Sequence, residues 1–580
     1  MKRLITIVIS FFSCIFISDA ENYDLNGLWQ FRFDEGTRLE DVLDPSFSAN
    51  DVMAVPCCFD VVSPYLKSRG TAQYRKAIYI DTPVMNAVWC IDGIGLRGSF
   101  YLDGKYVGMC NKPYSYFELP LGPLAAGEHV LYAAIDNNFD SEKQKLFLPY
   151  YDFYAFGGFY RGMELKFQTK KIQLDKILVR TKDYKTALVE LEICTLNSET
   201  PASLYSSVQF DGGKWIPVNF VNGKVVINVP NFKLWSPKSP NLHSVRVRYQ
   251  GSVVQTRFGI RTVSVKGHDI LLNGEKIFLK GVNRHEQHPS FGAATPEQLM
   301  QLDINLIKSL GANFVRGAHY PQSQKFLDLC DENGILVWEE SLGWGNKLDN
   351  IQDPEFVSLQ ISQTKDMVLR SMNHPSVIIF AFLNEVKSNC PEGKAIVDTL
   401  IKTVKAQNPG RLTTFACNRT KNDIANVNTD LISFNTYPGW FETIDISTSG
   451  LLKDVINQKL DTIIKYFRSR YGDKPILISE IGMCGIYGFR DSSAPQWTEE
   501  FQAEYVGDAL DYALTSDEIC GIALWHFADA DSFHRSGGNI RGKPFAVNLA
   551  GLVDSYRHPK LVYKVVESKF KNTKYEKMVQ

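Results

Sequence analysis

The stretch "VIIFAFLNE" (377–385) sets seven apolar residues, Val377 to Leu383, against an amide and an acid, Asn384 and Glu385. A strand with one wet face alternates apolar and polar residues, whereas a strand buried on both faces is apolar throughout. Seven further runs of this kind are "IFLKGVN" (277–283), "NFVRGAHY" (313–320), "ILVWEE" (335–340), "LTTFAC" (412–417), "LISFNTY" (431–437), "ILISE" (476–480) and "GIALWHFAD" (521–529). Eight such segments, each followed by enough chain for a helix, predict a (β/α)8 barrel over 265–580. The first intervening segment supports this. Thr295-Pro296-Glu297-Gln298 reads as a helix start, Leu299, Leu302, Leu306, Ile307 and Leu310 line one face, and Gly311 ends it.

Polar residues at the C-terminal ends of barrel strands gather at the mouth, where chemistry is expected. The eight runs place Asn283, His285, Arg316, His319, Asn384, Glu385, Tyr437, Glu480, Trp525 and Asp529 there. Two of the strands end in a glutamate after apolar residues, Leu383-Asn384-Glu385 and Ile478-Ser479-Glu480. A rim salt bridge is the simplest account of either acid alone. Together, two carboxylates at one mouth meet the requirement for glycoside hydrolysis, one protonating the departing oxygen and the other attacking carbon or activating water. "NRHEQHP" (283–289) has the look of a metal site, but its histidines are three apart at a strand end rather than four apart on a helix. No metal is expected; hydrogen bonding by His285 and Glu286, or loop capping, fits better. Tyr437 and Trp525 either pack the barrel or offer aromatic faces to a sugar ring.

With 63 basic and 64 acidic residues and no basic run of useful length, nothing points to nucleic acid. The 580 residues exceed one core. Residues 1–20, "MKRLITIVISFFSCIFISDA", carry a basic start, an apolar stretch and small residues, the pattern of a secretory signal. The apolar stretch is too short for a membrane span. Cleavage after Ala20 is expected, in preference to lipidation at Cys14, giving a periplasmic or secreted protein. The eleven cysteines form no C-x-x-C pair, so buried free thiols are expected for most.

Residues 21–167 hold short strands broken by turns, such as "GLWQFRF" (27–33) and "GSFYLDGKYVG" (98–108), where Asp103-Gly104 is a hairpin signal. This is read as a β-sandwich. A second β stretch over 168–264 has the length of an immunoglobulin-like sandwich. The fold class is therefore multidomain, β followed by α/β.

Read together, the sequence resembles glycoside hydrolase family 2, the β-galactosidase and β-glucuronidase family, over nearly its whole length. The resemblance rests on "LNGLWQFRFD" (25–34), "FGIRTVSVKGHDILLNGEKIFLKGVNRHEQHP" (258–289), "GANFVRGAHYPQSQKFLDLCDENGILVWEE" (311–340), "LNE" (383–385) and "ISEIG" (478–482). It implies a jelly-roll, sugar-binding-like sandwich, an immunoglobulin-like sandwich and a catalytic TIM barrel. It implies a retaining exo-β-glycosidase that needs no cofactor, with Glu385 as acid/base and Glu480 as nucleophile. Asn384 would bond the sugar 2-hydroxyl, Arg316 would hold the nucleophile charged, and His319, Tyr437 and Trp525 would line the sugar subsite. Dimers or tetramers are common in such a family.

The sugar is less settled. "YDFYAFGGFYR" (151–161) is similar to the loop of the β-glucuronidase branch that would carry Asp152 into the mouth. That branch grips the glucuronate carboxylate with N-x-K, where this chain has Asn539-Ile540-Arg541. Arginine pairs with carboxylates too, as a planar fork rather than a point charge. "NRHEQHP" looks equally like the β-galactosidases. A β-glucuronidase type is the first expectation. A β-galactosidase, a related β-uronidase or furanosidase, and a sugar-binding protein on an inactive barrel are the alternatives.

Overall fold

In the computed structural model of the chain, described for residues 22–42, 47–140, 142–149, 151–440, 452–532 and 543–573, each of the eight apolar runs contains a strand of one parallel sheet. These are β1 (Leu279–Arg284), β2 (Phe314–Gly317), β3 (Leu336–Trp344), β4 (Val377–Asn384), β5 (Leu412–Thr414, continued by Ala416–Cys417), β6 (Ile432–Asn435), β7 (Ile476–Ile481) and β8 (Gly521–Leu524). Each pairs with the next, and β8 pairs back onto β1, Leu279 opposite Gly521. β4 is buried along its whole length, which is why its run shows no alternation.

Among the described residues, seven helices of ten or more residues cover the barrel: α1 (Glu297–Ser309), α2 (Gln324–Asn333), α3 (Pro354–Ser371), α4 (Pro391–Gln407), α5 (Leu452–Tyr471), α6 (Glu499–Thr515) and α7 (Leu561–Lys571). The expectation of a helix after every strand fails between β5 and β6. There, residues 418–431 run as turns, because Asp423 accepts from the amides of Ala425 and Asn426 and ties the loop locally. The face expected for α1 also needs correction. Its buried residues are Met300, Asp303, Ile304 and Ile307, whereas Leu302 is 42% exposed. An acid occupies the inward face because Asp303 pairs with Arg284 at 3.0 Å and Arg557 at 2.8 Å.

Ahead of the barrel, a four-stranded and a six-stranded antiparallel sheet pack over one core that includes Trp29, Trp89, Phe100 and Phe159. The Asp103-Gly104 turn joins Arg97–Leu102 to Lys105–Cys110, both turn residues at positive φ (51° and 76°), as a tight hairpin demands. A seven-stranded sheet over Leu174–Asp183 to Ser252–Phe258 follows. Its two halves are laddered only by Val221 opposite Lys224 and share one core, which gives a sandwich. A three-stranded meander (Val263–Lys266, Asp269–Leu272, Glu275–Ile277) then packs Val263, Ile270 and Leu272 with residues of the barrel strands. The ten described cysteines are all free thiols. No helix among the described residues is long and apolar enough to cross a membrane. The expected signal segment, residues 1–20, with Cys14, lies outside the described residues.

What positions the site is residues 151–161, which leave the first sandwich and lie on the barrel mouth. Tyr151 accepts from Asn346 at 3.1 Å, the Phe153 ring is 5.2 Å from His285 and 5.8 Å from His319, and Arg161 reaches Glu286 at 2.5 Å.

Candidate active site

At the end of β4, the chain leaves the ladder through two left-handed residues, Leu383 and Glu385, both at φ 56°. A left-handed non-glycine residue costs about 1–2 kcal/mol, and such strain persists where surrounding structure enforces it. Here the enforcement is visible: the Glu385 amide donates to the Ala416 carbonyl at 2.8 Å. This turn aims the Glu385 carboxyl into a cavity of about 330 Å³ at the barrel mouth, whose lining also includes Glu480, Tyr437, Trp525 and His319.

The two acids sit in opposite surroundings. Glu480, closing β7, accepts from the Arg316 guanidinium at 2.5 Å and from the Tyr437 hydroxyl at 2.5 Å. Among the described residues, Glu385 has no ion-pair partner and accepts only from amides, Asn435 at 2.9 Å and Asn418 at 3.0 Å. Burial, and then the charge of Glu480, pushes the Glu385 carboxyl up from the ordinary 4.5 to about 7. One carboxylate is thus paired with a cation while its neighbour keeps its proton near neutrality, the division of labour an acid and a nucleophile require.

Beneath the floor, Arg316 is fully buried and every arm of its fork is used. It donates to Glu340 at 2.9 Å, to the amide oxygens of Asn283 and Asn384 at 2.9 Å each, and to Glu480. Glu340 is fixed in turn by the Trp338 indole at 2.8 Å. Asn384 accepts from both Arg316 and Asn435, which leaves its amide nitrogen with no partner among the described residues. Burial, then the Arg316 charge, holds His319 at about 3, a neutral ring stacked 5.3 Å from Trp525. Burial and the Glu480 charge raise the Tyr437 phenol well above its usual range, so it remains a donor.

On another wall, Asp152 accepts from the Ser532 hydroxyl at 2.8 Å and pairs with the ammonium of Lys543. Lys543 is 3% exposed and lines the cavity. A cation is therefore seated in the same cavity as the two acids.

Of the residues expected at the site, Asp152, His319, Tyr437, Trp525, Glu385 and Glu480 line the cavity. Arg316 and Asn384 form the layer under it. Asn283 and His285, expected to touch substrate, do not line it. The Asn283 amide is spent on the carbonyls of Ser479, Ala523 and Leu524, and His285 is walled in by Phe153, Tyr320 and Trp525. Glu286 is taken by Arg161, and Asp529 by Lys560 at 2.7 Å. Asn539 and Arg541 lie outside the described residues. Sequence reasoning missed Glu340, Asn418, Asn435 and Lys543. Asn435 and Glu340 stand inside two of the quoted runs, whereas Asn418 and Lys543 belong to loops with no periodic signal.

Among the described residues, one group has metal-ligand spacing, Asp328, Asp331 and His374. It is no part of the cavity lining, and its atoms are already engaged: His374 with Asp331 at 2.6 Å, Asp328 with Arg257 at 2.8 Å.

The family model described as "Glycosyl hydrolases family 2, TIM barrel domain" matches residues 263–575, and that described as "Glycosyl hydrolases family 2" matches 167–261. The β-glucuronidase of Canis lupus familiaris is 32% identical over 418 residues, 68% of this chain and 62% of that protein. That of Felis catus is 31% identical over 432 residues, 71% of this chain and 63% of that protein. The matches thus span less than two thirds of these relatives' length. A β-galacturonidase from Eisenbergiella tayi, solved bound to galacturonate, superposes with a TM-score of 0.83 at 30% identity, covering 95% of this chain and 97% of that one.

Proposed function

From the premise that this chain belongs to glycoside hydrolase family 2, we propose that it is a retaining exo-β-glycosidase that removes a terminal β-linked uronic acid, β-glucuronidase in type. The observation that carries this reading is the pairing, in one cavity, of an amide-held acid at about 7 and a guanidinium-bound carboxylate, with the Lys543 ammonium beside them.

In the first half-reaction Glu480 attacks the anomeric carbon while Glu385 gives its proton to the departing oxygen. Arg316 and Tyr437 fix the attacking carboxylate in place. Once Glu480 is esterified its charge is gone, and the second of the two influences raising Glu385 goes with it. Glu385 then titrates lower and takes a proton from the incoming water, so one residue serves as acid and then base. The open amide nitrogen of Asn384 is the donor for the sugar 2-hydroxyl, and Trp525 offers a face to the ring. Lys543 supplies positive charge for the uronate carboxylate, with Arg541 as a second cation on the same group. The roles of Arg541 and of its amide partner Asn539, which lie outside the described residues, rest on the N-x-K resemblance alone.

The experiment is turnover of p-nitrophenyl β-glucuronide, β-galacturonide, β-galactoside and β-glucoside by the full-length protein. A uronide preference of tenfold or more in kcat/KM is expected. A galactoside preference removes the uronide reading, and binding without cleavage of any of the four removes the enzyme. A β-galacturonide is the second reading, favoured by the likeness to the galacturonate-bound enzyme, since galacturonate differs from glucuronate only in the configuration at C4. Export through residues 1–20 and homo-oligomer formation remain part of the proposal, read by N-terminal sequencing of the mature protein and by sedimentation.

A further inference from the structure

A second cavity, of about 610 Å³, lies between the first sandwich and the barrel, where Tyr160 and Arg161 face the start of α1 and the helix α3. None of its lining residues is shared with the cavity that holds Glu385 and Glu480. The two cavities are nevertheless neighbours through one piece of chain. Asp152 lines the first and Tyr160, eight residues on, lines the second. Tyr114, on the wall of the second, stacks 4.0 Å from Tyr320, whose hydroxyl takes the Glu286 amide at 3.0 Å.

Three features define what would fill it. The Thr295 hydroxyl, on a residue 7% exposed, has no hydrogen-bond partner among the described residues. The Tyr160 hydroxyl, on a residue 2% exposed, is approached by the Tyr114 amide but has no acceptor for its own proton among the described residues. Buried hydroxyls left so are costly unless a ligand or water completes them. Second, the charges on the wall are largely spent on each other, Arg161 with Glu286 at 2.5 Å and Arg370 with Asp92 at 2.7 Å, and acidic side chains outnumber basic ones along the lining. An anionic ligand is disfavoured and a neutral one suits. Third, Met300, Met367, Ala294 and Pro296 give the rest of the wall apolar surface. The volume falls within the ~300–1,000 Å³ of small-molecule sites.

We propose that this cavity is a second ligand site, for a neutral hydroxyl-bearing ring of monosaccharide size, separate from the uronide site. Thr295 and Tyr160 hydrogen-bond its hydroxyls, and the methionine and proline surfaces carry its apolar face. The proposal concerns binding alone, so it stands or falls independently of which glycoside is cleaved.

It is tested by ligand-observed NMR titration of the full-length protein with D-glucose, D-galactose and D-xylose, each with and without excess D-glucuronate. At least one of the three is expected to bind with a Kd of about 1 mM or tighter and to remain bound when glucuronate is added. Thr295→Val and Tyr160→Phe, each removing one hydrogen-bonding group, should weaken it about fivefold. Ala294→Trp, which fills the space, should abolish it while glycoside turnover persists. Absence of binding by all three sugars, displacement by glucuronate, or binding untouched by all three substitutions would overturn the assignment.

Discussion

Replacing Glu385 with Gln should stabilise the protein by a margin that grows as pH rises from about 4.5 and is complete above about 7. The folded state holds this carboxyl at about 7, against an ordinary 4.5. Between those values the native state binds a proton that the unfolded chain has released, so stability falls as pH rises from 4.5 and the loss is complete above about 7. At ~1.4 kcal/mol per pH unit the ceiling is about 3 kcal/mol. Glu385 keeps part of its surface towards the cavity, and solvent screening there brings the figure nearer ~2 kcal/mol. Gln removes the charge and fits the same pocket. Its oxygen accepts from Asn435, and a rotated Asn418 amide, whose oxygen has no partner among the described residues, accepts from the new NH2 group. The assay is the thermal midpoint of both proteins from pH 5 to pH 8.5. At ~2.1 cal/mol/K of unfolding entropy per residue, ~2 kcal/mol shifts the midpoint of a 580-residue chain by about 1.5–2 °C. The variant should match wild type near pH 5 and exceed it by that margin at pH 8.5, with glycosidase activity reduced by at least ~100-fold. A gap that does not change with pH would refute the claim that Glu385 is held protonated by its surroundings. In wild type the same group sets an alkaline limb in kcat/KM near pH 7, activity being lost as pH rises through it.

Asn435→Ala removes an amide that favours charged Glu385, so the alkaline limb should move up and kcat fall about tenfold, read from a pH–rate profile. Lys543→Met should cost ~100-fold or more in kcat/KM on a uronide and little on a neutral β-glycoside; equal losses on both substrates would show that Lys543 serves the fold rather than the carboxylate. Arg316→Lys cannot reproduce the fork that ties Glu340, Asn283, Asn384 and Glu480 together. It should lower stability by about 2–4 kcal/mol and slow the glycosylation step, visible in single-turnover kinetics.

The barrel was readable because its strands are buried on both faces, a pattern that composition alone reports. Glu385 and Glu480 were readable for a related reason: a charge that ends an apolar strand must emerge somewhere, and in a barrel that place is the mouth. The face of α1 was misread because Asp303 points inward, and an apolar count assigns an acid to water. Only the partners Arg284 and Arg557, distant in sequence, make that burial tolerable. Asn283 and His285 were over-read, since a strand end fixes height in the barrel but not whether a neighbouring side chain covers it. Lys543 and Asn418 were missed because loop residues acquire meaning only from what lies opposite them.

The ion pair between Asp152 and Lys543 joins residues 391 positions apart. At synthesis rates of about 5–20 residues per second, roughly 20–80 s separate the emergence of the two from the ribosome. For all of that interval the nascent chain carries its sandwich loop, and later both carboxylates, without the cation that completes the pocket. Completion of the pocket is therefore among the last events of synthesis, and a copy terminated before Lys543 would lack not only that cation but also Arg557, the partner of buried Asp303, and the helix α7 that closes the barrel.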